Sequence, residues 1–340
     1  MTNPACQNLN VPSTSETGLL LLYTGSPSHP DPACVAAYLR EFLMDPCVMD
    51  MPGWLRGTLV KGVIVPLRAR KSAAKYQSIW TPEGSPLTWY TQCFREALRE
   101  QFPESPIASG AAYGGEPLQE SLSVLVKASL RRLVVFSLFP HYARATRGSL
   151  RMLLDAALRR LGADTLELCE VPPFYAHPAY LEAMYKAVFP ALEAFHPDHV
   201  VFSYHGLPLR QAWAPPDDGS GLNYEQQCLS STEALVRILR LNPEQCTQAY
   251  QSRFGRGWLT PSTESVLVSL AGDGKRRVAL IAPSFVTDCL ETLEELDMEV
   301  KEAFLAAGGR EFLRIPALNA HPAWVEGAAC LVREVLRAEE

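Results

Sequence analysis

The sequence predicts an α/β fold made of two similar halves, each a parallel sheet flanked by helices on both faces. Three observations predict it. Short apolar, β-favouring runs recur along the chain, separated by segments with helical spacing. Two of these strands, residues 18–23 and 200–202, break into comparable turns, Gly25-Ser26-Pro27 and Gly206-Leu207-Pro208. At 340 residues, the chain has room for two domains of ordinary size.

The bulk properties narrow the class. Hydrophobic residues make up 47% and charged residues 20%, which is the balance of a soluble globular protein. A net charge of −6 argues against a general nucleic-acid binder. No apolar run reaches the ~20 residues that span a bilayer. Residues 1–16 are polar and have neither the basic start nor the apolar core of a signal peptide, so they read as a flexible tail on a cytoplasmic protein. The nine cysteines are scattered, with no CxxC pair, as expected of reduced thiols.

Taken in order, residues 18–23 form a buried strand and residues 31–43 a helix, with Val35, Leu39, Phe42 and Leu43 on a shared side. Residues 42–67 crowd apolar side chains, Met51 and Trp54 among them. They suit either a core helix or an apolar lip around a pocket. Arg68, Arg70, Lys71 and Lys75 follow, either as a solvated helix face or as a cradle for substrate carboxylates. Residues 89–102 read as a helix, 109–115 as a Gly-rich turn and 118–130 as a helix. A strand at 132–138, a helix at 143–160, a strand at 166–171 and a helix at 180–195 complete the first half. The second half opens with the strand at 200–202. It continues with a helix at 224–241, a helix at 246–254 and a turn at 255–263. Strands at 277–283 and 312–316 and a closing helix at 322–338 end it.

His205 sits just past the strand at 200–202, on the carboxyl edge where open α/β sheets bind ligands. A histidine there takes up a proton or binds a metal near neutral pH, although a lone one is most simply a hydrogen-bonded loop residue. A second group changes that balance. Asp288, Glu291, Glu295 and Glu299 follow the strand at 277–283, spaced three, four and four apart, which on an α-helix makes one acidic stripe. Like charges at that spacing weaken a helix by about 0.2–0.5 kcal/mol each, and a solvated acidic face is the plain explanation. Beginning at the edge that presents His205, the stripe also suits receipt of a divalent cation and removal of protons.

Several segments carry a resemblance. Ser203-Tyr204-His205-Gly206-Leu207-Pro208 and the run from Phe285 through Glu295 closely resemble ferrochelatases. So do Tyr38-Leu39-Arg40-Glu41-Phe42-Leu43, Ile79-Trp80 with Gly84-Ser85-Pro86-Leu87, and Phe139-Pro140-His141-Tyr142 with Thr146 and Gly148-Ser149. Gln251-Ser252-Arg253-Phe254-Gly255 completes the set, and the resemblance runs from about 17 to 336. It implies two Rossmann-like domains of the chelatase type facing a porphyrin cleft. The domains would span 17–190, with the lip, and 191–320, with a C-terminal helix, 321–340, packing back on the first.

The implied reaction inserts Fe2+ into protoporphyrin IX, releasing two protons, at the end of haem synthesis. His205 is then the active-site histidine, as proton acceptor or metal ligand. Glu291 faces it across the macrocycle, in proton removal or metal handling, and Asp288 and Glu295 extend an acidic path. Tyr23, Thr24, Met51, Trp54, Arg68, Ser85, Tyr113, Tyr142 and Pro208 are the implied porphyrin contacts. Iron is a substrate and no cofactor is required. The cysteine-rich tail that carries a [2Fe–2S] cluster in some members has no counterpart, so no cluster is expected, through Cys228 or Cys246 or otherwise. The resemblance leaves open monomer or dimer, a peripheral contact with the inner face of the membrane, and contact with the preceding porphyrin-producing enzyme.

Departures from the family pattern matter. Ala112 stands where Arg is common, and Cys289 where some members have His. Thr24 replaces the Leu of many bacterial members and the Tyr of coproporphyrin-using ones. The alternatives are a coproporphyrin III ferrochelatase, a chelatase for another tetrapyrrole, and a non-catalytic porphyrin or haem carrier.

Overall fold

The computed structural model describes residues 16–128, 130–216, 221–253 and 255–338. Most of the expected tail, residues 1–15, lies outside the described residues, as does Phe254. β1 (Thr17–Tyr23) is apolar on both faces because both are covered: Leu19, Leu21 and Tyr23 enter one core, and Leu20 and Leu22 another. α1 (Pro32–Met44) begins where the Asp31 carboxylate accepts from the N–H groups of Ala33 and Cys34 at 2.8 and 3.0 Å, with Pro32 in the first turn. α2 (Gly53–Leu59), a π-helical stretch (Val60–Ile64) and α3 (Val65–Ile79) run on as one helical segment. The wider turn sits just ahead of Pro66, which has no N–H to give to the ladder.

α4 (Pro86–Gln101), β2 (Ile107–Ala111), α5 (Leu118–Lys127) and β3 (Arg132–Ser137) follow. A π-helical turn (Arg144–Gly148) leads into α6 (Ser149–Leu161), and β4 (Glu167–Glu170) closes the first set. α7 (Pro178–Phe195) connects to β5 (His199–His205), then α8 (Leu209–Ala212), α9 (Tyr224–Ile238), β6 (Cys246–Gln251), α10 (Thr263–Gly272) and β7 (Arg277–Ile281). An acidic π-helix (Glu291–Val300) continues into α11 (Lys301–Ala306), followed by β8 (Glu311–Arg314) and α12 (Pro322–Ala338).

The two sheets share one topology. Their orders are β2-β1-β3-β4 and β6-β5-β7-β8, with every pairing parallel, so the repeat suggested by the two Gly/Pro turns is present in the strand order. One core joins the inner faces of both: Leu21, Val134 and Phe136 from one sheet, Phe202, Ala279 and Ile281 from the other. α7 and α12 fill that core, and Trp324 of α12 stacks on Phe94 at 5.7 Å and meets Phe136 and Phe174 at 6.1 and 5.5 Å. The outer faces are closed separately, by α5 and α6 on one side and by α10, the π-helix and α11 on the other.

Two expectations from sequence are corrected and one element is added. Residues 246–254 do not form a helix; Cys246–Gln251 is the edge strand β6. The turn expected at 109–115 begins inside β2, another edge strand, whose Ile-Ala-Ser-Gly-Ala run has weak β character. α10 lies in a stretch that showed no element. Both misread strands hold few large apolar side chains, Ile107 in one and Tyr250 in the other, so neither shows the apolar run of β1 or β5.

Candidate active site

β5 delivers His205 to the carboxyl edge of its sheet, paired in register with Gln251. The chain then turns at Gly206, where a Cβ would meet the Gln251 carbonyl oxygen at 2.7 Å and Arg253 Cγ at 2.9 Å. The His205 Nδ1 lies 2.8 Å from the Gly206 carbonyl oxygen. A carbonyl can only accept, so Nδ1 carries the hydrogen and Nε2 is left as the acceptor. The His205 carbonyl accepts from the Tyr224 hydroxyl at 2.9 Å, at the start of a helix held by an Asn223–Gln226 capping box.

The acidic helix brings Glu291 and Glu295 to the same place. Gln251 accepts from Ser203 Oγ at 2.9 Å and donates from Nε2 to the Glu291 carbonyl at 3.0 Å, tying the strand ends to the first turn of that helix. Glu295 accepts from the Ser252 N–H at 2.6 Å and also from the Ser252 hydroxyl. Ser252 has a left-handed backbone (φ 56°), an uncommon conformation for a residue with a side chain. The Glu295 carboxyl is pushed above the ordinary carboxylate range, chiefly by burial and further by the Glu291 charge; the Ser252 hydrogen bonds and the attraction of His205 oppose the rise. Glu295 thus shares one electrostatic environment with His205 and Glu291. Glu291 also acts on the first half: after burial, its charge is the largest cause raising the pKa of Tyr38, and it contributes to that of Tyr76.

The expected single stripe of Asp288, Glu291, Glu295 and Glu299 does not form. Asp288 precedes the helix and is only 3% exposed. Its carboxylate accepts from Arg314 Nη1 at 2.8 Å, from Thr292 Oγ1 at 2.9 Å and from Asn319 Nδ2 at 2.9 Å, a fully occupied buried ion pair rather than an open step of an acidic path. Glu299 turns away as well. Helices wound i→i+5 bring residues five apart onto one face, so Glu299 joins Glu294, and both carboxylates grip Lys75 at 2.7 and 2.8 Å. Lys75 is therefore drawn out of the basic run, while Arg68, Arg70 and Lys71 lie exposed along α3.

The helical segment 53–79 is apolar on its outer side as well as its inner one. Val60 and Val65 are buried, but Trp54 and Leu67 are each 75% exposed, with Leu55 and Val63 beside them, so the segment carries an apolar outer surface. Met51 is partly buried at its start, where Arg56 Nη1 reaches the carbonyls of Met49 and Met51 at 3.2 Å.

The remaining expected porphyrin contacts divide by exposure. Tyr23, Ser85 and Tyr113 are buried: Tyr23 donates to Glu116 at 3.0 Å, Ser85 to Ser26 Oγ at 2.6 Å, and Tyr113 to Asp45 at 2.7 Å. Thr24, Tyr142 and Pro208 are part-exposed at the strand ends. Sequence reasoning did not single out Ser252, Gln251 or Tyr76 for the site. The only signal for the first two was their place in the 251–255 motif. Among the described residues, no three His, Cys, Asp or Glu side chains converge closely enough to hold a metal, and no helix is long and apolar enough to cross a membrane. The described cysteines are free thiols, with Cys228 fully buried.

Comparisons with known proteins accord with this geometry. The family model "Ferrochelatase" matches residues 16–336. A ferrochelatase of Edwardsiella ictaluri is 43% identical over 305 residues, covering 89% of this chain and 92% of that relative. One from Azotobacter vinelandii is 38% identical over 342 residues, covering 94% and 99%. Among solved structures, SirB from Bacillus subtilis with Fe3+ superposes with a TM-score of 0.57 at 12% identity, covering 95% of this chain and 97% of that one, a likeness of fold alone. With the family model spanning nearly the whole chain and both relatives covered almost end to end, this chain belongs to the ferrochelatase family, the enzymes that insert iron into a porphyrin.

Proposed function

We propose that this chain inserts Fe2+ into protoporphyrin IX, with His205 as proton acceptor and Glu291 opposite it in proton removal or metal handling. The observation that carries the reading is His205 at the carboxyl edge of the second sheet, with Nε2 as its accepting nitrogen, close enough to Glu295 for the two charges to interact, while Glu295 in turn feels Glu291. The balance is simple: two pyrrole N–H bonds break, two Fe–N bonds form from the retained electron pairs with two more from the remaining nitrogens, and two protons leave. A neutral imidazole takes the first of these at its accepting nitrogen. Glu295 binds a proton more readily than an exposed glutamate, which suits a group that passes protons on.

A flat macrocycle hides its nitrogens, so the ring has to be bent before metal enters. Binding energy from apolar contacts remote from the nitrogens supplies that distortion, and the lip around Met51 and Trp54 is the apolar surface available. Protoporphyrin is preferred to coproporphyrin because Thr24 replaces the tyrosine of coproporphyrin-using relatives. The exposed side chains Trp54, Leu55, Val63 and Leu67 support a peripheral contact with a membrane surface, where an apolar porphyrin would be exchanged.

The test is anaerobic insertion followed by absorbance, with Fe2+ offered to protoporphyrin IX and coproporphyrin III in parallel. Insertion into protoporphyrin, abolished in His205→Ala, is expected. Insertion into coproporphyrin alone moves the chain to the other substrate. Tight porphyrin binding with no insertion leaves a carrier.

A further inference from the structure

An ion-pair cluster joins the acidic helix to α3 of the first half. Lys75, on α3 of the first half, places its ammonium 2.8 Å from Glu294 and 2.7 Å from Glu299 on the π-helix of the second. Glu294 is buried and Lys75 only partly exposed, so the contact is shielded from solvent on one side. Burial disfavours the Lys75 charge, yet the hydrogen bonds and charges of the two glutamates outweigh it and raise its pKa. A second ion pair between the halves, Arg210 with Asp50 at 3.2 Å, is exposed and does not touch the acidic helix.

The spacing gives the contact its meaning. In an α-helix, residues five apart diverge around the axis, and one ammonium would not easily grip both. In a helix wound i→i+5 they share a face. Four glutamates of this helix therefore sort into two pairs. Glu294 and Glu299 are paired with Lys75, whereas Glu295 interacts with His205 and with Glu291. Without the lysine, the carboxylates would repel one another and any rotation that separates them would be favoured.

We propose that Lys75 is a positioning residue: by gripping Glu294 and Glu299 it holds the acidic helix so that Glu291 and Glu295 face His205, and it makes that facing depend on the lip being in place. This rests on the catalytic reading above and extends it to a residue that never touches the macrocycle's nitrogens.

Lys75→Met removes the charge and keeps the stem; Lys75→Arg restores the charge; Arg210→Met breaks the other tie as a control. Two readouts are paired. In Lys75→Met, kcat for insertion falls about 10-fold while KM for porphyrin moves less than about twofold, since misplacement of reacting groups costs rate rather than binding. Amide hydrogen exchange across residues 291–300 speeds up in Lys75→Met, returns towards the parent in Lys75→Arg, and stays unchanged in Arg210→Met. Parental kcat and exchange in Lys75→Met overturn the proposal, as does an equal loss in Lys75→Arg. If the parent protein inserts no metal, or His205→Ala inserts as well as the parent, the catalytic reading fails. The exchange measurement then still decides whether Lys75 sets the helix.

Discussion

The two halves repeat one another up to a single residue and then part. Both sheets run second-first-third-fourth, and in both the first strand leaves through a glycine pressed against the chain beside it. A Cβ on Gly25 (φ 91°) would sit 1.9 Å from the Tyr113 carbonyl oxygen, and one on Gly206 would sit 2.7 Å from that of Gln251. The last residue of the strand is Tyr23 in one half, paired with Ala111, and His205 in the other, paired with Gln251. Tyr23 turns inward. Its hydroxyl donates to Glu116, which also accepts from Gln92 at 2.5 Å and Ser109 at 3.2 Å, and burial raises its pKa. His205 keeps an accepting nitrogen and faces carboxylates. The first half spends its carboxyl edge on satisfied polar contacts and carries exposed apolar side chains at Trp54, Leu55, Val63 and Leu67, whereas the second keeps titratable groups at its edge. On the reading proposed above, one scaffold would serve as a binding half and a chemical half through side chains at the ends of corresponding strands.

Exchanging the roles of these two positions is the sharpest test. His205→Ala should lower the insertion rate by about 10²–10⁴-fold, the range for loss of a positioned general base. Tyr23→Phe should insert at close to the parental rate and lose about 1 kcal/mol of stability, the net worth of one hydrogen bond. A Tyr23→Phe protein as inactive as His205→Ala would mean that both halves carry chemistry.

The comparison can also be broken at the core. If the halves fold around one shared interior, Trp324→Ala should destabilise the whole chain by about 3–5 kcal/mol, the cost of a large buried aromatic. Its ring packs on Phe94, Phe136 and Phe174 in the core that includes β5 and β7. Urea unfolding followed by far-UV circular dichroism and by tryptophan fluorescence would show a single shifted transition. Two separated transitions would mean that the sheets are independent.

What the sequence reveals differs between the halves for physical reasons. β1, β3, β5 and β7 are buried on both faces and announce themselves as apolar runs, so the parallel two-sheet plan and the place of His205 are legible. β2 and β6 contain few large apolar side chains, and there the pattern misleads. Glu291 and Glu295 are legible as carboxylates past a strand end. The winding of their helix is not, because spacings of three and four read as an α-helix stripe whether or not the helix adopts that pitch. Asp288 looks like a member of that stripe until Arg314, distant in sequence, claims it. Lys75 has no local signal at all, since its partners lie more than two hundred residues away.

His141 lies at the seam between the halves, and acid should act on it. It follows β3, stacks on Tyr175 at 5.4 Å and meets Tyr204 of β5 edge-on at 5.4 Å. Neither ring nitrogen has a hydrogen-bond partner among the described residues, and burial lowers its pKa from 6.5 to about 3. Between those values the unfolded chain binds a proton that the folded ring refuses. The contribution to stability is therefore complete above pH 6.5 and is lost as pH falls towards 3. His141→Phe keeps the stacking and removes the titration, so its unfolding midpoint should exceed the parent's by a margin that grows between pH 7 and 5. A margin that does not change with pH would mean that the ring is already solvated.

Glu295 should show the opposite sign with a smaller effect. Its carboxyl is raised above 4.5, mainly by burial, so the folded state resists its ionisation. Below 4.5 both states hold the proton and nothing is lost. As pH rises through the folded value, the native state has to carry a charge that the unfolded chain accommodates more easily, and stability falls. Glu295→Gln keeps an oxygen for the Ser252 N–H and abolishes the charge. It should therefore melt slightly above the parent at pH 8, match it at pH 4 and insert iron more slowly, because the group that answers His205 and Glu291 is gone. A variant more stable at both pH values would locate the gain in packing instead. One with unchanged insertion would remove Glu295 from the proton path and leave the second half's chemistry to His205 and Glu291.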